Sequence, residues 1–259
     1  MRPIKWVQSY KKLVCTKAGY LCVLIATVTP SFMKSTAALE TPSRYTRQEE
    51  LANAISHLIG TFLAIAALVL MVVKAARIGT GWHIVSTAIF GATMILLFFS
   101  STMTHWLRAG RAKDIFFTID QIAIFTLIAG TYTPFTLIAL NGPFGWVIFG
   151  LEWGLAAIGI TIKLAKPTQF NQGVNLFYIL LYAAMGWMVL IAIVPVFKSI
   201  PLMGVLWLLT GGLAYTIGIY FYKKARFPHN HLVWHLLVIA GALSHFFAVF
   251  FYVLPISVQ

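Results

Sequence analysis

Residues 230–245, Asn-His-Leu-Val-Trp-His-Leu-Leu-Val-Ile-Ala-Gly-Ala-Leu-Ser-His, decide how the chain folds. The run stays apolar to about residue 254, long enough to cross a hydrocarbon core of roughly 30 Å as a helix. It also carries His231 and His235. Four residues apart on a helix, two imidazoles stand one turn above the other on a single face, with Cβ atoms roughly 5–6 Å apart, which suits shared coordination of one metal ion. Two hydrogen-bonded core histidines would fit the same spacing. Ionisable or strongly polar side chains at membrane depth are rare and face a bundle interior or a site, so the rest of the chain decides between the two.

Outward from this segment the pattern repeats. Only 10% of the 259 residues are charged and 60% are hydrophobic, against roughly 25% charged in a soluble domain. Seven apolar runs fall near 51–73, 82–105, 115–139, 144–164, 174–197, 202–222 and 231–254. Each is about twice the length of a barrel strand and none alternates with polar residues, so an all-α bundle of seven transmembrane helices is predicted. Pro134, Pro143, Pro167, Pro201 and Pro228 lie at or near run ends, and Asn141-Gly142-Pro143 is a turn signal. The net charge of +13 would suggest nucleic acid in a soluble chain; here the basic residues sit in short loops and act as topology signals, with membrane lipids as the expected partners and no nucleic acid.

The basic residues also orient the bundle. Arg44, Arg47, Arg108, Arg111, Lys113, Lys163, Lys166, Lys223, Lys224 and Arg226 fall on one side, against Lys74, Arg77 and Lys198 on the other. That bias predicts an N-terminus in the cytoplasm and a C-terminus outside, in the plasma (inner) membrane. Residues 1–44 form a separate extension with a basic start and a short, polar-interrupted apolar stretch, and the seven-helix domain covers 45–259. An eighth span or a cleaved signal there would invert the charge bias, so residues 1–32 are expected to be an upstream mis-start before Met33, or a dispensable extension. Both cysteines, Cys15 and Cys22, lie in it. A metal in the core is therefore left to histidine, carboxylate or water.

With seven spans in place, Ser101 and His105 close the second run, Asp120 opens the third, and His231 and His235 open the seventh, all on the cytoplasmic side. His57, with Asn53 one turn before it, lies early in the first run at the same side. Independent counting thus brings His105, Asp120, His231 and His235 to one depth, which favours a metal site over scattered core histidines.

These residues carry a resemblance. Ser101-x-x-x-His105, Asp120 followed by Ala129-Gly130-Thr131-Tyr132-Thr133-Pro134-Phe135, His231-x-x-x-His235 with His245 ten further on, and Asn53-x-x-Ser56-His57-x-x-Gly60 together resemble the motif set of the hemolysin III family. That family is grouped with the progestin and adipoQ receptors, which include the adiponectin receptors. The resemblance spans about 45–255 and implies that His105, His231 and His235 are zinc ligands, with Asp120 and Ser101 lining the site. Kinship with alkaline ceramidases implies a zinc-activated water attacking a lipid amide. Gln121 departs from the histidine found there in many bacterial members, which weakens any proton relay at that position.

Three imidazoles with one open position make a catalytic zinc geometry, since structural zinc is normally closed by four protein ligands. Asp120 either takes the proton of the attacking water or pairs Arg111 or Lys113 at the membrane surface. Ser101 either donates to a developing oxyanion or bonds a carbonyl one turn back. His57 either fixes the tautomer of a ligand histidine or is hydrogen-bonded within the bundle. His245, about 15 Å beyond His235, is too distant to share the ion. The first functional expectation is a zinc-dependent lipid amide or ester hydrolase serving membrane-lipid homeostasis. The alternatives are a receptor-like lipid sensor clamped by structural zinc, and a hemolysin-type cytolysin or pore.

Overall fold

The computed structural model describes residues 45–223 and 227–257, so the expectations for residues 1–44 lie outside the described residues. Among those described there is no strand, and seven helices are long and apolar enough to span a membrane: α1 Arg47–Ile78, α2 Gly81–Trp106, α3 Arg111–Ala139, α4 Pro143–Ala165, α5 Leu176–Ser199, α6 Leu202–Lys223 and α7 Asn230–Val253. α1 begins four residues ahead of its apolar run because a capping box starts it. The Glu49 amide donates to Thr46 Oγ1 at 3.3 Å while the Thr46 amide donates to Glu49 Oε2 at 2.9 Å, satisfying two amides that the first turn would otherwise leave open. Gly142, at φ 122°, makes the turn into α4, whose first residue is Pro143.

Neighbouring spans pack in a closed ring, α1 on α2, α2 on α3, α3 on α4 and α5, α5 on α6, α6 on α7, and α7 back on α1. α3 is the most enclosed. Bilayer hydrocarbon removes the usual drive to hide apolar side chains, so Phe62, Ile191 and Leu202 stay exposed while small residues set the helix contacts. Gly60 shows why: a Cβ there would stand 2.7 Å from the Phe98 ring of α2. Gly211 likewise lies against His245, whereas a Cβ on its neighbour Gly212 would meet nothing.

Two irregularities were not legible in the hydropathy. Pro134 supplies no amide to the ladder, and Phe135–Ala139 continues as a π-helical turn. α5 is interrupted between Gly186 and Val189, where Tyr132 of α3 bridges the gap: its hydroxyl donates to the Gly186 carbonyl at 3.0 Å and accepts from the Val189 amide at 2.6 Å. The odd number of spans places the starts of α1, α3, α5 and α7 at one face of the bundle, called here the amino-terminal face. The ends of α2, α4 and α6 share it.

Candidate metal centre

At the amino-terminal face, α7 presents His231 and His235 from successive turns, and the last turn of α2 presents His105. His235 Nε2 lies 3.1 Å from His231 Nε2, and His231 Nε2 lies 3.3 Å from His105 Nε2. One ligand atom from each of the three falls within 4.8 Å of the others, and all three rings are buried. Two nitrogens bound to one tetrahedral zinc at about 2.0–2.1 Å would sit about 3.3 Å apart, so the spacing fits a common ion.

The outer nitrogens decide which way the lone pairs point. His105 Nδ1 is 2.8 Å from Glu50 Oε2, and an ionised carboxylate only accepts, so the proton belongs on Nδ1 and Nε2 is bare. Glu50 Oε1 in turn takes Lys113 Nζ at 3.0 Å, and the ammonium sits 4.0 Å from the centre of the Phe170 ring. His235 Nδ1 lies 3.1 Å from both the Asn53 carbonyl and Ser56 Oγ. Because the Ser56 hydroxyl spends its hydrogen on that same carbonyl at 2.8 Å, His235 Nδ1 is again the donor and its Nε2 is bare. Two bare nitrogens converge on His231 Nε2, where a single ring proton could meet only one of them, whereas a cation between the rings would satisfy all three, so the donor set fits a metal ion.

Aromatic rings close the surroundings. His57 stacks on His235 with centroids 3.6 Å apart and planes 14° from parallel, and Phe98 meets His57 edge-on. Tyr45 stacks on His231 at 4.9 Å, Tyr222 leans on the same ring at 5.5 Å, and Phe170 meets His105 edge-on at 5.8 Å. Phe170 is held over the site by its amide, which donates to Asp114 Oδ1 at 3.0 Å.

His105, His231 and His235 therefore meet as the sequence implied. Asp120, partly buried on α3, stands outside the three-histidine set; Ser101 lies one turn before His105 on the adjoining α2. Lys113, considered above as a surface partner for Asp120, is committed to Glu50 instead. His57 touches a ligand ring by its face, and neither of its nitrogens has a protein partner. Asn53 does serve a ligand, but through its backbone carbonyl; both side-chain amide atoms are buried without a protein partner. His245 lies apart and hydrogen-bonds the Leu208 carbonyl at 3.1 Å. Gln121 joins a neighbouring cluster, where its amide oxygen accepts from Lys163 Nζ and its backbone carbonyl accepts from the Tyr182 hydroxyl at 2.8 Å.

Glu50 is the residue at this site that the sequence reading passed over; Lys113 was placed only as a surface cation and Ser56 only within a motif. Glu50 sits one residue before the apolar run and resembles a solvent charge there. The capping box Thr46-x-x-Glu49 was the available signal: it starts the helix at residue 47 and sets Glu50, Asn53 and His57 on one face at i, i+3 and i+7.

A family model described as Haemolysin-III related matches residues 45–246. Hemolysin-3 from Bacillus cereus is 40% identical over 208 residues, covering 80% of this chain and 93% of the relative. Hemolysin-3 homolog from Bacillus subtilis (strain 168) is 42% identical over 208 residues, covering 80% and 96%. The Homo sapiens monocyte to macrophage differentiation factor is 27% identical over 227 residues, covering 85% and 91%. No solved structure matches.

Proposed function

Because this chain belongs to the haemolysin-III-related family of membrane proteins, we propose that it is a zinc-dependent hydrolase of amide-bonded or ester-bonded membrane lipids, with its amino-terminal face toward the cytoplasm and a role in membrane-lipid homeostasis. The observation that carries the proposal is the convergence of three imidazole Nε2 atoms, one protein ligand fewer than a closed structural zinc site, with Ser101 one turn before His105 on α2 and Asp120 on the adjoining α3.

His105, His231 and His235 would hold the ion. When bound, zinc supplies a Lewis acid that polarises a carbonyl and makes water nucleophilic near neutral pH. Asp120 is the base that takes the proton of the attacking water and returns it to the departing amine or alcohol. The Ser101 hydroxyl, one turn before His105 on the adjoining helix, would orient that carboxylate. Glu50 and the Asn53 carbonyl fix the ring planes of His105 and His235, so the ligands are set before substrate arrives. The collar of Tyr45, Tyr222 and Phe170 keeps bulk water from the centre.

The test is zinc content and lipid release from protein purified in detergent without chelator. His231→Ala should lose both. Asp120→Asn should keep zinc while hydrolysis falls by about 10²–10⁴-fold, the usual worth of a general base. A zinc-loaded protein inert on a broad panel of amide and ester lipids would make the ion a clamp between α2 and α7. Lysis of erythrocytes by the purified protein would support the activity in the relatives' name instead.

A further inference from the structure

The buried stripe of α4 runs Gly145, Ile148, Glu152, Ala156, Gly159 and Lys163, and so carries one acid and one base into the bundle. Lys163 is provided for: its ammonium donates to the Gln121 side chain and to Thr168 Oγ1, and lies 4.7 Å from the centre of the Tyr178 ring. Glu152 is not. Its side chain is fully buried and neither carboxylate oxygen has a hydrogen-bond partner in the protein. It lies nine residues, about 14 Å, along α4 from Pro143, well inside the hydrocarbon thickness.

Among the described residues, the elements packed on α4 offer no counter-charge. From α3, Tyr132 stands at this level, because Trp153, next to Glu152, donates to Thr133 Oγ1, next to Tyr132, at 3.1 Å; the Tyr132 hydroxyl is already used on both sides by the break in α5. The π-helical turn Phe135–Ala139 contains no ionisable residue. On α5, Tyr178 and Tyr182 are engaged near Lys163 and Gln121, and Lys198 lies at the opposite end of the helix. On α4 itself, Lys163 is eleven residues away, about 16 Å. A bare carboxylate in such surroundings is too costly to persist, so something beyond the protein's own groups completes it.

We propose that Glu152 is a proton-binding site in the membrane interior, carried as the carboxylic acid and set level with the Tyr132 joint of α5. Loss of the proton leaves a carboxylate at the level of the Tyr132 hydroxyl that spans Gly186 and Val189, so the state of this acid acts on the alignment of the two halves of α5. The inference is independent of the metal centre.

Two measurements test it on the full chain in lipid vesicles. Infrared difference spectra of wild type minus Glu152→Gln should contain the carbonyl band of a protonated carboxyl at neutral pH, replaced by carboxylate bands in alkali. An apolar carbodiimide, which attacks protonated carboxyls within membranes, should label Glu152 of the wild type, as read by mass spectrometry, equally with or without sodium, potassium or calcium. A carboxylate-only spectrum at neutral pH, no adduct at Glu152, or an adduct suppressed by any of these cations would overturn the proposal. The labelling needs no variant, so it stands even where Glu152→Gln fails to fold.

Discussion

The histidine cluster and the Glu152 level of the same bundle treat buried polar groups in opposite ways. At the cluster, the outer nitrogens of His105 and His235 are anchored, the first by a carboxylate that itself has a lysine, the second by a carbonyl and a hydroxyl. At Glu152 neither oxygen is met. Complete partners on one side of a ring leave its other side committed in direction, which is what a metal centre needs. Missing partners on both oxygens leave a group completed only from outside the protein, which suits an exchangeable proton. Two polar sites in one low-dielectric interior thus differ through their second layer of contacts, not through burial.

The sharpest attack on this contrast removes a ligand. His235→Ala should abolish bound zinc, measured as metal per chain after purification without chelator. Next comes the support of a ligand. Glu50→Ala strands Lys113 and frees His105 at once; breaking a buried ion pair typically costs about 3–5 kcal/mol, and loss of a ligand's anchor about 10–100-fold in metal affinity. Chelator competition and thermal unfolding check the two effects, and adding Lys113→Met should recover stability but not affinity.

Packing alone should act elsewhere. A Cβ on Gly159 would fall 2.4 Å from the Phe125 ring, so Gly159→Ala should lower stability by about 1–3 kcal/mol and leave zinc content unchanged. The smallest effect is expected from Ser56→Ala. The Asn53 carbonyl still receives His235 Nδ1, so stability should fall by about 0.5–1.5 kcal/mol and metal affinity by less than the loss of Glu50 brings. A Ser56 effect equal to that of Glu50 would mean the hydroxyl, not the carbonyl, anchors His235.

The sequence disclosed the spans because runs of twenty or more apolar residues have one physical outcome in a bilayer, and it disclosed half of the histidine cluster's geometry because His231 and His235 share a face by spacing alone. His105 followed once topology put the end of α2 beside the start of α7. What stayed hidden depends on contacts between helices. Hydropathy carries no trace of the gap at Gly186–Val189, which exists because a tyrosine from α3 replaces its hydrogen bonds. Glu50 looked solvated because it stands at the edge of an apolar run. His57 was expected to hydrogen-bond a ligand, or to be hydrogen-bonded within the bundle; it does neither, and instead lies flat on His235, a distinction that spacing along one helix cannot make.

X-ray absorption at the zinc edge, on protein purified without chelator, tests the central claim most directly. One zinc per chain with three imidazole nitrogens at about 2.0–2.1 Å is the predicted result, lost in His235→Ala. Protein that carries no metal, or a metal whose spectrum lacks imidazole and is unchanged in His235→Ala, would contradict it.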